Sequence, residues 1–392
     1  MSKTVIIDAV RTPFGKFGGT LKNIPLTDLG SIVISKLCDR INIDKNEIDK
    51  VIMGSCIPTG DTQLPAREAA IKAHLPYSVS CLTINNACLS ALHAVSLGNI
   101  DIKSNISDTI ISGGMESMSR SPFIVPKARW GARMGDFDLI DIVQSALHCP
   151  FTGKHMGVYA DEMAQIYKID RIQQDKWAFR SQQNYNKALK ENKFNFEIIP
   201  IEIIDTTGKS IIFNQDEFPK PETTLENLSK LKPVFRENGT ITAGNSPGIN
   251  DGATATLLMN EEKAHSLGLK PLALIVDTAE FGGAPNEIAT VPAYAIQKLL
   301  KKNKLDISDI GLFEINEAFA AVTLTSIKIL DINPDIVNVN GGSIAIGHPV
   351  GATGARILMT LIYEMKRENI EFGIAAICGA GAQGEAVLVK NI

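Results

Sequence analysis

The chain has 392 residues, a length at which a single hydrophobic core usually gives way to two domains or two fused halves. The apolar fraction of 44% and the charged fraction of 21% are ordinary for a soluble protein, and the net charge of -4 excludes nucleic acid as a partner attracted by overall charge. The sequence has no signal peptide and no run of eighteen apolar residues, which predicts a soluble, cytoplasmic protein.

The first part of the chain contains three predicted strands and one predicted helix. Apolar stretches predict strands over residues 48–54, 79–84 and 108–114. A helix is expected from about Cys88 to Leu97, directly after a tight turn. Cys88 is therefore expected in or near the first turn of a helix that follows a strand.

The middle of the chain, from about Ser119 to Asn250, has longer polar helices and loops broken by prolines. Asp170 and Gln173 have the spacing of a helix N-cap and its partner, so a helix is predicted to begin there. This segment is interpreted as an inserted lid domain. Its mixed charges around Lys220 are typical of a solvated surface, and a phosphate contact is the less favoured reading.

The last part of the chain repeats the order of the first. Strands are predicted over residues 310–315, 336–339 and 372–378, and a long helix over residues 350–367 follows a glycine-rich turn with His348. Strands that alternate with helices at this spacing favour an α/β fold with parallel sheets covered on both faces.

Residues 379–384 match the glycine pattern of a dinucleotide-binding loop. Only eight residues follow Gly384, which leaves no room for the helix and the second strand that such a site requires. A glycine-rich hairpin is predicted instead.

Two cysteines and one histidine have unusual settings. Cys88 lies in the segment NNACLSA, Cys378 in ICGAG and His348 in GGSIAIGHP. A thiolate is a good acyl acceptor, a histidine can activate it, and a second thiol can move a proton at the adjacent carbon. The combination points to carbon–carbon bond chemistry on thioesters, of the Claisen type.

The local context also bears on reactivity. A helix N-terminus favours the thiolate, so a lowered pKa is expected for Cys88, although a cysteine in such a place is more often structural. Pro349 suits the first position of the following helix, which would hold His348 on a rigid turn. The cysteine spacing fits neither a zinc site nor a disulfide framework. Three cysteines in apolar runs are interpreted as small core residues: Cys38, Cys56 and Cys81.

Over essentially its whole length the chain resembles the thiolase family, of the acetyl-CoA acetyltransferase type. The resemblance rests on segments that occur in order along the chain: RTPFG at 11–15, GGMESMS at 113–119, HMG at 155–157, TAGN at 242–245, NDGA at 250–253, NEAFAA at 316–321, and residues 341–356.

The resemblance implies a five-layered α-β-α-β-α fold of two similar halves with an inserted loop domain that binds coenzyme A. The first half would comprise residues 1–118 plus 250–270, the loop domain residues 119–249 and the second half residues 271–392. It also implies coenzyme A thioesters as substrate and product, no permanently bound cofactor, no metal, and a homotetramer that binds neither nucleic acid nor membrane.

A two-step ping-pong acyltransferase mechanism is implied as well. Cys88 would accept the acyl group while His348 takes its proton, and Cys378 would then remove a proton from the α-carbon of acetyl-CoA. His348 and a water held by Asn316 would stabilise the enolate. The backbone N–H groups of Cys88 and Ala380 would stabilise the tetrahedral intermediate.

Further positions match the family's contacts to substrate and coenzyme A: His155, Met156, Lys220, Asn227, Ala243, Pro247, Ile288, Ala318 and Phe319. Some of them depart from the usual pattern. Pro247 stands where a serine commonly contacts the pantetheine arm, and a proline cannot donate a hydrogen bond. Lys220 replaces a common arginine. Ala380 and Ala382 replace glycines, and an alanine can still offer its N–H group to an oxyanion provided that the backbone there does not need a positive φ angle.

Three functions remain open. The leading one is an active thiolase that makes or cleaves a short 3-oxoacyl-CoA, with a longer-chain 3-ketoacyl-CoA thiolase of fatty acid β-oxidation as the runner-up. A ketoacyl synthase shares the cysteine nucleophile but would carry a second catalytic histidine in place of Cys378. A non-catalytic thiolase-fold subunit is the third, permitted by Pro247 and the altered glycines.

Overall fold

The structure is a computed structural model that describes residues 2–57, 60, 62–131, 133–204 and 208–392. The strands in this part of the chain are β1 (Thr4–Arg11), β2 (Gly15–Lys16), β3 (Lys50–Gly54), β4 (Ser80–Ile84), β5 (Thr109–Ser117), β6 (Phe123–Ile124), β7 (Ile140–Asp141), β8 (Ile201–Ile204), β9 (Ser210–Phe213), β10 (Asn250–Asn260), β11 (Ala273–Gly282), β12 (Leu312–Ile315), β13 (Phe372–Gly379) and β14 (Gln383–Asn391).

The α-helices of the same described ranges are α1 (Leu26–Ile41), α2 (Pro65–Lys72), α3 (Ser90–Lys103), α4 (Ile142–Ala146), α5 (Met156–Ile166), α6 (Arg171–Lys190), α7 (Leu225–Ser229), α8 (Glu261–Ser266), α9 (Val291–Asn303), α10 (Ala320–Leu330), α11 (Ser343–Ile346) and α12 (Thr353–Glu368). Short 3₁₀ turns lie at Lys45–Glu47, Met118–Arg120, Ala128–Trp130, Ile307–Asp309 and Pro334–Ile336.

The main sheet is mixed, with the strand order β12-β13-β14-β11-β1-β10-β5-β3-β4 and β2 beside β10. Among the described strands of this sheet, only the pairs β3–β4, β3–β5 and β12–β13 are parallel. The expected parallel arrangement therefore holds for these strands and does not extend to the whole sheet. The antiparallel pairs involve β1, β10, β11 and β14, which lie outside the strand–helix–strand units from which the parallel arrangement was inferred.

The two halves of the sheet correspond strand by strand. The order β3, β5, β10, β1 in the first half matches β12, β13, β14, β11 in the second, with the same pattern of parallel and antiparallel pairs. The halves join where β1 pairs with β11 over residues 4–6. The repeat inferred from the sequence is therefore present in the hydrogen-bonding pattern of the sheet.

The strand expected over residues 336–339 does not form. The side chain of Asn338, whose φ angle is +48°, donates to the Ile315 carbonyl and accepts from the Ile315 N–H group, at 2.8 Å each. Phe313 and Val337 make a single parallel bridge. A side chain thus takes over the pairing that a further strand would supply.

Helices α3 and α12 form the middle layer, because they pack against each other and against strands of both halves. Helices α1 and α2 cover the outer face of the first half, and α9, with α10 beside it, covers that of the second. The result is the five-layered α-β-α-β-α arrangement. No helix in the described ranges is long and apolar enough to cross a membrane.

Helix boundaries near the reactive residues differ from the expected ones. α3 begins at Ser90, two residues after Cys88, and α12 begins at Thr353, so Pro349 is not its first residue. The predicted cap at Asp170 is confirmed, because its side chain and that of Gln173 form a reciprocal capping box. The predicted hairpin is also confirmed, since three residues join β13 to β14.

Candidate active site

A cavity of about 580 Å³ brings together Cys88, His348, Cys378 and Ala380. Cys88 comes from the turn between β4 and α3, His348 from the loop between α11 and α12, and Cys378 from the end of β13. Residues far apart in the sequence therefore meet because the two halves present equivalent loops to the same space.

The two groups proposed for nucleophilic attack are in direct contact. Nε2 of His348 lies 3.3 Å from Sγ of Cys88. The His348 backbone N–H donates to Oδ1 of Asn250 at 2.9 Å. The side-chain amide of Asn250 also packs against Gly347. Gly347 has a φ angle of +106°, and a Cβ there would approach the Asn250 amide to 2.5 Å, so only glycine fits.

A second contact fixes the tautomer of the imidazole. Nδ1 of His348 lies 2.7 Å from Oγ1 of Thr353, and that hydroxyl donates its single proton to the Pro349 carbonyl at 2.8 Å. The hydroxyl must then accept from Nδ1, which carries the proton. The lone pair of Nε2 faces Cys88, as a general base requires. Burial, together with the positive charge of Arg356, lowers the pKa of His348 to about 3.

Cys88 is protonated in the absence of substrate. Burial raises the pKa of its thiol to about 12, its own backbone N–H lowers it, and the nearby Glu116 raises it further. The expected lowering was wrong, because the helix begins two residues later and desolvation outweighs any dipole effect. The resting pair is therefore a neutral thiol beside a neutral imidazole.

The turn that carries Cys88 is held by Ser90. Its hydroxyl accepts from the Asn86 N–H at 2.8 Å and donates to the Ala87 carbonyl at 2.7 Å. Ala87 has a φ angle of +48°, which is uncommon for a residue with a Cβ and indicates a turn held in place by its surroundings.

Cys378 is fully buried and electrostatically coupled to Cys88. Burial raises the pKa of its thiol far above the ordinary value, and the neighbouring Cys88 raises it further. In the following hairpin, Ala380 does not have a positive φ angle, so alanine fits the backbone at this position without strain. Ala382 has a φ angle of +56°, a strained position where glycine would be relaxed.

Asn316 follows β12 directly and is buried. Its Oδ1 accepts from the Ser343 hydroxyl at 2.6 Å, and that hydroxyl in turn accepts from Arg356 at 2.7 Å. Nδ2 has no hydrogen-bond partner among the described residues. A buried, unpaired amide N–H is costly, so this group fits the expected role of holding a water.

The substrate positions taken from the family pattern divide into two groups. Seven line the cavity: His155, Met156, Ala243, Pro247, Ile288, Ala318 and Phe319. Lys220 and Asn227 are exposed and do not line it. The Lys220 ammonium lies 5.2 Å from the Phe218 ring centre, and Phe218 packs on the cavity residue Gly248.

Two residues near the reactive groups escaped the sequence analysis. Cys56 lines the cavity, and its thiol donates to the Ala87 carbonyl at 2.8 Å, so its interpretation as a simple core residue was wrong. Glu116 accepts backbone N–H groups from Cys56, Ile57 and Gly351 at 2.9 to 3.1 Å. Its carboxylate therefore joins the loops on either side of the Cys88–His348 pair. Both residues lie at or beyond the ends of predicted strands, which was the available signal.

Comparison with known proteins agrees with this geometry. Residues 4–262 match the family description "Thiolase, N-terminal domain", and residues 269–391 match "Thiolase, C-terminal domain". This chain belongs to the thiolase family. The thiolase fold and the acyltransferase class expected from the sequence are confirmed.

Similar proteins extend over nearly the whole length of this thiolase. A Staphylococcus epidermidis protein named probable acetyl-CoA acyltransferase is 42% identical over 392 residues, which cover 100% of this chain and 99% of the relative. An Allochromatium vinosum acetyl-CoA acetyltransferase is 43% identical over 389 residues, 99% of each chain. The crystal structure of the Bacillus anthracis acetyl-CoA acetyltransferase matches with a TM-score of 0.98 at 40% identity, covering 100% of this chain and 99% of that one.

Proposed function

We propose that this thiolase condenses two molecules of acetyl-CoA to acetoacetyl-CoA and free coenzyme A, and runs the reverse thiolysis, through an acetyl group on Cys88. The contact between Cys88 Sγ and His348 Nε2, in a cavity that also holds the Cys378 thiol, carries the proposal. The names of the relatives, which refer to acetyl-CoA, support the choice of substrate.

The first half-reaction uses the neutral pair as it stands. Nε2 of His348 takes the thiol proton as Sγ of Cys88 attacks the thioester carbonyl, which avoids a free thiolate in a buried cavity. The N–H groups of Cys88 and Ala380 would bind the oxyanion. The carbon–sulfur bond to coenzyme A breaks, and the departing thiolate takes a proton from Cys378.

The second half-reaction starts with a Cys378 thiolate near a His348 imidazolium. A thiolate whose pKa is raised by burial is a strong base, as the weakly acidic α-carbon of the second acetyl-CoA requires. The imidazolium, with a water on Nδ2 of Asn316, would stabilise the enolate oxygen. The enolate attacks the acetyl group, and the Cys88 thiolate released takes the proton of His348. All three groups return to their starting forms.

The preferred length of the acyl chain distinguishes two candidate thiolase activities. The Staphylococcus relative, named as an acyltransferase, favours a longer-chain 3-ketoacyl-CoA thiolase as the second candidate. Comparing thiolysis rates for acetoacetyl-CoA and for longer 3-oxoacyl-CoA substrates separates the two. A higher kcat/KM for the longer substrates would show that they, and not acetoacetyl-CoA, are the preferred substrates.

The proposal extends to the organisation of the protein. We place the coenzyme A loop domain at residues 119–249, between halves at residues 1–118 plus 250–270 and at residues 271–392. Apolar side chains on this loop domain are almost fully exposed in the single chain, Trp130 at 88% and Met134 at 95%. Such a surface supports burial between subunits of a homotetramer. We assign the enzyme to lipid metabolism in the cytoplasm, with no resident cofactor.

Acylation is tested by mass spectrometry after mixing with acetyl-CoA. We expect one acetyl adduct on Cys88, which Cys88→Ala abolishes. The matched control is Cys81→Ala, a thiol away from the cavity, which should leave the adduct intact. An adduct found only on Cys38, Cys56 or Cys81 would contradict the assignment, and no adduct on the native enzyme would favour a non-catalytic subunit.

A further inference from the structure

A cluster of metal-ligand types lies outside the active-site cavity. His93 lies on α3, one turn after the loop of Cys88, while Glu280 lies on β11 and Glu385 on β14. The two glutamates face each other in the register of these antiparallel strands. One nitrogen and two carboxylate oxygens from three elements all lie within 4.8 Å of one another.

The distances suit a coordinated cation. Nδ1 of His93 lies 3.3 Å from Oε2 of Glu385 and 3.6 Å from Oε1 of Glu280. Ligand atoms held about 2.1 Å from a tetrahedral zinc ion lie about 3.4 Å apart. Both nitrogen–oxygen distances are therefore close to the separation of two ligands bound to one such ion.

The polar atoms of the cluster are not satisfied by the protein. The Glu385 side chain is fully buried, and neither of its oxygens has a hydrogen bond of acceptable geometry to any described residue. The same holds for Nδ1 of His93, despite its short distance to Glu385. A buried carboxylate without a hydrogen bond is energetically costly. This cost applies to Glu385 whether or not His93 and Glu280 lie close to it.

Protonation of His93 alone does not neutralise the two carboxylates of Glu280 and Glu385. An imidazolium at His93 would face two carboxylates, which leaves one negative charge in excess. A divalent cation with a neutral imidazole balances both carboxylates and occupies the space between all three groups.

We propose that His93, Glu280 and Glu385 form a binding site for a divalent first-row transition metal ion of the zinc type. An imidazole nitrogen with carboxylate oxygens is a ligand set that such ions accept. Glu280 is the solvent-facing ligand, with its side chain 59% exposed, so the fourth position is open to water. The ion would link α3 to the second half of the sheet, a structural role independent of the condensation reaction.

The test uses cobalt(II) as a spectroscopic substitute for zinc in the intact enzyme. We expect one equivalent to bind with a tetrahedral visible spectrum that lacks a sulfur-to-cobalt charge-transfer band, which separates this site from the active-site thiols. Glu280→Gln and His93→Gln should each weaken binding by about tenfold or more, at the low end of losses seen when metal-site residues are changed. At the same zinc concentration, the Tm should rise more for the native enzyme than for these variants.

Matched controls are Glu371→Gln, an exposed carboxylate just before β13, and His265→Gln, an exposed histidine on α8. Both should bind cobalt as the native enzyme does. Glu280 is exposed, so its replacement leaves the fold intact even if variants of the buried Glu385 do not fold. Absence of cobalt binding to the native enzyme at millimolar concentration, or an unchanged spectrum and Tm response in both ligand variants, would overturn the proposal.

Discussion

Thr353 accepts a hydrogen bond from Nδ1 of His348, and this contact decides which imidazole nitrogen faces Cys88. The Thr353 hydroxyl donates its only proton to the Pro349 carbonyl, so it cannot also donate to the imidazole ring. Removing the hydroxyl would free the imidazole to take either tautomer, and the one with a proton on Nε2 cannot act as a base toward the thiol.

Replacing Thr353 by valine should therefore slow acetylation of Cys88 without abolishing it. We expect the rate to fall by roughly tenfold to a hundredfold, part of the range usual for general-base catalysis. Thr353→Ser keeps the hydroxyl and should recover most of the rate. The measurement is single-turnover acetylation followed by mass spectrometry. Equal loss in the valine and serine variants would show that the methyl packing of Thr353 matters, not its hydrogen bond.

Cys378→Ser separates the two half-reactions. The alcohol is too weak an acid to form the base for the α-carbon, so condensation should fall by about a hundredfold or more. Acetylation of Cys88 should persist at a substantial fraction of its native rate, because attack depends on His348. The two rates are measured by adduct formation and by acetoacetyl-CoA production. Equal loss of both would indicate that Cys378 is structural.

Much of the fold and the identity of the reactive groups could be predicted from the sequence. The alternation of strands, the cap at Asp170 and the hairpin after Cys378 depend on local signals, and each is present in the structure. Direct contact between Cys88 and His348 has no local signal, because 260 positions separate them. It was expected from the chemistry of the two residue types and from the resemblance to a known family.

The failures have a common physical cause, which is contact with residues distant in sequence that the local pattern does not report. The pKa of Cys88 was expected to fall from its place near a helix end, whereas desolvation raises it. The strand at residues 336–339 was expected from its apolar residues, whereas the Asn338 side chain replaces its pairing. Cys56 was assigned to the core because its position on the cavity wall depends on loops distant in sequence.

Acid should destabilise this enzyme through the buried His348. The pKa of His348 is lowered by burial to about 3, below the value near 6.5 expected in the unfolded chain. Between these values the unfolded state binds a proton that the folded state does not, so stability falls as the pH falls from about 6.5 toward 3.

His348→Asn should therefore flatten this part of the stability profile. Removing one such group reduces the slope by up to about 1.4 kcal/mol per pH unit, the limit for one proton. The free energy of unfolding is measured in urea at a series of pH values. His265→Asn, at an exposed site on α8, is the control and should leave the slope as it is. A slope unchanged in His348→Asn would mean that the pKa of His348 is not lowered in the folded state.

Pro247 lines the cavity where a serine is expected to contact the pantetheine arm, and it can donate no hydrogen bond. One restored hydrogen bond contributes roughly 0.5 to 1.5 kcal/mol. Because the contact is remote from the reacting atoms, it should strengthen binding of the ground and transition states alike. Pro247→Ser should then lower KM for acetoacetyl-CoA severalfold and keep kcat within about twofold. Pro247→Ala, which adds no hydroxyl, is the control. An unchanged KM would mean that other contacts hold coenzyme A, and a collapse in kcat in both variants would mean that Pro247 shapes the catalytic cavity.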